Sequence, residues 1–131
     1  MGTWCPNCLD ESKYFIELSQ KSPFKDIRII GIGFENGNSD KDRIARLKKY
    51  QKKMGFTYPL YLGGGASTKD AHAVFNQLNG VFSFPTTIFL DKQGRIVQVN
   101  SGFDGPATGE FYKSLQEDTE RILLNLLQAD E

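Results

Sequence analysis

The sequence predicts an α/β fold in which helices alternate with short strands. Helix-period stretches recur between β-branched runs, an order that packs as helices layered on sheet. "TTIFLD" and "RIVQVN" flank "KQG" and read as a β-hairpin with Gly94 in its turn. The chain of 131 residues, 39% hydrophobic and 24% charged, suffices for one globular domain and one core but not for two, so residues 1–131 are read as a single domain. No repeat, low-complexity segment or linker divides it.

In chain order, "PNCLDESKYFIELSQKS" (6–22) reads as a helix. Pro6 suits its first turn, Asp10 and Glu11 lie early, Phe15 and Leu18 share a face, and Leu9 and Ile16 form an adjoining stripe. "DIRIIGIGFE" (26–35) is rich in β-branched residues and reads as a buried strand. Ser39, with Asp42 three residues later, marks a second helix that Gly55 closes. "YPLYL" reads as a short extended piece, "GGGAS" as a loop, and about 68–78 as a short helix. After the hairpin, a last helix from Pro106 to Leu127 presents Phe111, Leu115, Ile122 and Leu126 to the core.

Sixteen basic residues balance 16 acidic ones, which leaves no electrostatic case for binding nucleic acid or an anionic membrane surface. No run approaches the roughly 20 apolar residues of a membrane helix, and no signal segment is read in this chain.

The two cysteines, Cys5 and Cys8, are three residues apart. A disulfide stabilises chiefly by closing a long loop, and this loop is minimal, so stapling explains the pair poorly. Zinc wants about four ligands, and the chain offers two thiols and one distant histidine, so no metal site is expected. Redox chemistry is the better reading. Cys5, just before a helix, sits near unpaired backbone N–H groups and the positive end of the helix dipole, which favour its thiolate as nucleophile. Cys8, one turn further on the same side, is placed to attack a mixed disulfide on Cys5 and release a reduced substrate. A C-x-x-C that opens a helix in an α/β pattern is a fairly specific redox signal.

"TWCPNC" near the start and "FPTTIFLDKQGRIV" about eighty residues later resemble the thioredoxin fold, and more narrowly the TlpA/ResA-like thiol–disulfide oxidoreductases. The resemblance covers nearly the whole chain. It implies a thioredoxin-like fold with a central mixed sheet flanked by helices. It implies that Pro85 is a cis-proline beside the cysteines, with Trp4, Pro6, Phe84, Pro85 and Thr86 at the substrate groove. Glu35, in "GIGFEN", matches a glutamate of the ResA-like branch. A carboxylate there is expected to move the proton that thiol exchange requires, so Glu35→Gln is expected to slow exchange or shift its pH dependence. The resemblance further implies partner proteins bearing disulfides or dithiols, no bound cofactor, reduction as the direction, and an extracytoplasmic (periplasmic or membrane-anchored) setting for the precursor. The "PN" pair between the cysteines departs from the commoner family pairs, and this dipeptide influences redox poise.

In the family a strand runs directly into the cysteine motif. Here Met1 and Gly2 take its last positions, so a chain truncated relative to the family is expected. Its loss would open the edges of 27–34 and 86–91, to be closed by direct pairing of those strands or by a segment of another chain, as in a homo-oligomer.

Other signals are weaker. Gly31 and Gly33 lack the third glycine and following helix of a dinucleotide fingerprint, and Gly63-Gly64-Gly65 lacks the Lys-Ser/Thr of a phosphate loop. His72 reads as an ordinary helix residue, Tyr14, Phe15, Phe75 and Phe111 as packing, and Lys48, Lys49, Lys52 and Lys53 as a solvated face. Two rival functions share the fold. A peroxiredoxin-like peroxidase would want a lone cysteine preceded by Pro and Thr, which is missing, and a non-catalytic interaction module would exchange with no disulfide.

Overall fold

A computed structural model of the protein describes residues 1–76 and 83–129. Helix α1 spans Pro6–Leu18, with Pro6 in its first turn and Cys5 as its cap. It stops short of the expected Ser22 because Pro23 disfavours helical backbone before it, and Phe24–Asp26 form a separate 3₁₀ turn. Strand β1 is Gly31–Glu35 rather than 26–35. The parallel ladder with β2 (Leu60–Gly65) starts at Gly31–Leu60, and just before it Pro59 has no N–H to extend the pairing.

Helix α2, Asp40–Met54, is capped as the sequence indicates: the Ser39 hydroxyl accepts the Asp42 N–H at 3.2 Å and Gly55 ends it in a left-handed conformation. The triple glycine is strand rather than loop. Gly64 and Gly65 pair with Phe34 and Glu35 beyond a bulge, and a Cβ on Gly63 would lie 2.6 Å from the Phe34 ring. Only glycine allows that approach. Helix α3 covers Thr68–Val74, and the expected continuation over 77–78 lies outside the described residues.

Strands β3 (Thr86–Leu90) and β4 (Ile96–Ser101) form the antiparallel hairpin. Its turn is organised by the Asp91 carboxylate, which accepts N–H bonds from Gln93 and Arg95, with Gly94 at φ +80°. The last helix is interrupted. Pro106–Thr108 form a 3₁₀ turn, Gly109 (φ +62°, ψ −112°) breaks the path, and α4 runs Glu110–Gln128. This rotates the expected face. Phe111 is 69% exposed, while Tyr112 turns inward to Tyr14 and Phe103, and Thr119 and Leu123 are buried. Leu115, Ile122 and Leu126 do pack against the core.

One core joins Tyr14 and Leu18 of α1 to Phe24, Phe89, Phe103 and Leu123. A second, nearer the cysteines, joins Phe34 and Ala71 to Ile32, Phe75 and Phe84. The described strands make two two-stranded sheets, β1–β2 and β3–β4, and no ladder links β1 to β3, so direct pairing of those two strands is not how their edges meet. Met1 does pair with β1. Its amino nitrogen donates to the Ile32 carbonyl at 2.9 Å and its carbonyl accepts the Phe34 N–H at 2.8 Å, the pattern of a parallel bridge opposite Gly33.

Candidate active site

Cys5 has extended backbone (φ −103°, ψ 114°) at the N-terminus of α1, and its sulfur accepts the Cys8 N–H at 3.2 Å. The helix thereby uses a sulfur where a Ser or Asp side chain usually caps, a hydrogen bond that strengthens when the acceptor is anionic. On its other side the Cys5 thiol lies 3.7 Å from the Phe84 carbonyl and is directed at it. Both cysteines are free thiols, with Cys5 6% exposed and Cys8 fully buried. Burial, and then the hydrogen bond with Cys5, push the Cys8 thiol far above its ordinary range. Cys5 is thus the less buried sulfur of the pair, and Cys8 needs help to lose its proton.

The residues expected at the groove converge here. Trp4 donates its indole N–H to the Phe34 carbonyl at 2.7 Å and meets Phe84 edge-on, with centroids 5.4 Å apart. Phe84 also touches Phe34, at 5.8 Å. The Phe84–Pro85 peptide bond is cis, and Pro85 is fully buried, its carbonyl accepting the Gly102 N–H at 2.7 Å. Thr86 turns its hydroxyl back to the Ser83 carbonyl at 2.8 Å and pairs with Ser101 in the hairpin. Pro6 is exposed at the helix start.

Glu35 is fully buried at the end of β1. Its carboxylate accepts both the backbone N–H of Thr3, at 2.9 Å, and the Thr3 hydroxyl, while its main-chain carbonyl accepts Arg43 Nε at 3.2 Å. Both carboxylate oxygens are therefore engaged on the segment that leads into Trp4 and Cys5. Oxygens held by these donors at a fixed strand end form a clamp on that segment.

Glu11 is the acid that the sequence reading did not single out. It lies three residues after Cys8, so α1 presents the two on neighbouring positions of one side. That spacing was the available signal. The carboxylate accepts the Thr87 hydroxyl at 2.9 Å, and burial pushes its pKa up to about 7, although the Thr87 hydrogen bond pulls the other way. A group that exchanges protons near neutrality therefore sits one turn from the thiol that must be deprotonated.

Among the described residues no cluster of His, Cys, Asp and Glu could hold a metal ion, and no helix is long and apolar enough to cross a membrane.

The family model described as Redoxin matches residues 1–115. Among curated proteins, the thiol-disulfide oxidoreductase ResA of Bacillus thuringiensis subsp. konkukian (strain 97-27) is 29% identical over 101 residues, 77% of this chain and 51% of that protein. ResA of Halalkalibacterium halodurans is 27% identical over 101 residues, covering 77% of this chain and 50% of its own. The thiol:disulfide interchange protein DsbE of Escherichia coli K12 is 28% identical over 109 residues, covering 83% and 50%. The chain thus spans about half the length of the curated relatives it matches.

Proposed function

The chain belongs to the Redoxin family, on a thioredoxin-like fold, and from that premise we propose that it is a thiol–disulfide oxidoreductase working through Cys5 and Cys8. The observation that carries the proposal is the position of the Cys5 sulfur, which receives the Cys8 N–H at the head of α1 and abuts the Phe84 carbonyl beside Pro85. The names of the ResA and DsbE relatives agree with it.

The Cys5 thiolate attacks one sulfur of a partner's disulfide. A mixed disulfide forms, and the displaced sulfur leaves as a thiolate that takes up a proton. Cys8, once deprotonated, attacks Cys5 Sγ, the partner's second sulfur departs as a thiol, and Cys5–Cys8 becomes a disulfide. Two electrons and two protons pass to the partner. Glu11 accepts the Cys8 proton in the second step, and Glu35 positions Cys5 by holding Thr3. Trp4, Pro6, Phe84, Pro85 and Thr86 form the groove that receives the partner chain.

By the resemblance to ResA, the direction is reduction of partner disulfides and the setting is extracytoplasmic. Titration of the Cys5–Cys8 pair against glutathione or dithiothreitol buffers tests both the couple and its direction. A two-electron transition below about −220 mV is expected of a reductant. A high potential like that of an oxidase reverses the direction, and no transition removes the redox function.

A further inference from the structure

A cleft of about 230 Å³ opens between the C-terminal end of α1, the run from Lys25 to Ile29 and the segment Thr57–Pro59 that leads into β2. Its walls are tied by hydrogen bonds. Ser19 donates its hydroxyl to the Ile16 carbonyl at 2.7 Å, which leaves the Thr57 hydroxyl to donate to Ser19 Oγ at 2.5 Å. Lys25 and Arg28 are exposed at the cleft, no acidic side chain lines it, and neither cation forms an ion pair among the described residues. Gly31 donates its N–H to the Pro59 carbonyl at 2.9 Å. Two residues earlier Ile29, also in the lining, donates to no backbone carbonyl among the described residues. Lys52 and Lys53, in the last turn of α2, add positive charge just before the chain turns toward Thr57. The charges of the whole chain cancel in sum, but those at this corner do not.

The C-terminal end of a helix ordinarily repels an anion. Here the carbonyls of Phe15, Ile16, Glu17 and Leu18 are already bonded, by the N–H and hydroxyl of Ser19 and the N–H groups of Gln20 and Lys21, so the two cations dominate. The space is smaller than the roughly 300–1,000 Å³ of drug-sized ligand pockets, so its occupant is small. A guanidinium fork beside an ammonium suits a tetrahedral oxyanion, and the Tyr58 ring and Pro59 give a short organic group an apolar wall. We infer that this cleft binds a phosphate group carried on a small organic ester, with Arg28 and Lys25 holding its oxygens. It lies at the opposite end of α1 from Cys5 and does not rest on thiol–disulfide exchange.

Two measurements test it at low salt. Calorimetric titration uses glycerol 3-phosphate, with glycerol as its neutral counterpart, and sedimentation uses phosphatidylcholine vesicles with and without phosphatidic acid. Saturable one-to-one binding of glycerol 3-phosphate is expected, with none of glycerol. Arg28→Gln and Lys25→Gln should each weaken it roughly tenfold. The double change Lys52→Gln and Lys53→Gln removes more charge from beside the cleft, yet should weaken it less than about threefold. Retention on phosphatidic acid vesicles alone, lost in Arg28→Gln and in Lys25→Gln, would assign the phosphate to a lipid headgroup. Binding of neither phosphate source overturns the inference. So does affinity unchanged in both single variants, or an equal loss in the Lys52 and Lys53 variant, which would make the attraction diffuse.

Discussion

The Glu11 carboxylate accepts the Thr87 hydroxyl at 2.9 Å, joining the turn of α1 after Cys8 to the strand that follows Pro85. The contact links the two sequence blocks that define the site, and it holds a carboxyl group whose pKa is raised to about 7. Glu11→Gln should slow the second step of exchange, release from the Cys5 mixed disulfide, by roughly a hundredfold. Alkylation of Cys5 should change little. Single-turnover kinetics separate the two, and equal slowing of both would remove Glu11 as the proton acceptor. Thr87→Val, which deletes a bond favouring the charged form, should move the pH midpoint of release upward.

The same shift makes stability depend on pH. The folded protein holds the Glu11 proton up to about 7, whereas an ordinary glutamate releases it near 4.5. Between those values the folded state binds more protons than the unfolded one. Glu11's contribution is therefore complete below pH 4.5 and lost as pH rises through 7. Relative to Glu11→Gln, the unmodified protein should lose ~1–3 kcal/mol across that window in denaturant titrations. Parallel curves for the two proteins would contradict the raised pKa of this group.

Glu35 makes the opposite prediction. Its oxygens are spent on Thr3, so Glu35→Gln leaves one oxygen acceptor and turns an amide toward a donor. A stability loss of ~1–3 kcal/mol is expected, with the pH midpoint of Cys5 alkylation unmoved. A displaced midpoint would return Glu35 to the proton-carrying role expected from the sequence.

Trp4 is the sole tryptophan, so its fluorescence reports this site alone. Gly2→Ala places a methyl group against the indole and should shift the emission by releasing the ring from the Phe34 carbonyl. Gly63→Ala, pressed against the Phe34 ring from β2, should cost ~1–3 kcal/mol of stability. An unchanged emission spectrum in Gly2→Ala would show that the ring is not pinned there.

These residues also mark what the sequence made legible. Local chemistry read cleanly: Ser39 and Gly55 bound α2, Gly94 sits in the hairpin turn, and Cys5 caps α1. The residues from Trp4 to Thr86 that gather beside the cysteines are legible because they sit in two short, distinctive blocks. Features decided by distant neighbours were misread. The triple glycine reads as a loop because its strand role depends on the Phe34 ring, and 26–35 reads as one strand because the limit of β1 is set by Pro59, just before β2. Phe111 fits a helical stripe, yet Gly109 re-aims the helix and leaves it in solvent. Glu11 reads as an ordinary first-half helix acid, since nothing local announces that Thr87 comes to meet it.

Mass spectrometry of single-cysteine variants tests the Cys5-first mechanism most directly. Cys8→Ser, incubated with an excess of a disulfide-linked peptide, should accumulate a one-to-one covalent adduct that maps to Cys5 and is released by dithiothreitol. Cys5→Ser should form little or none, because the remaining Cys8 thiol is buried and held protonated. An adduct forming faster on Cys8 than on Cys5, or no adduct with either variant, would contradict it.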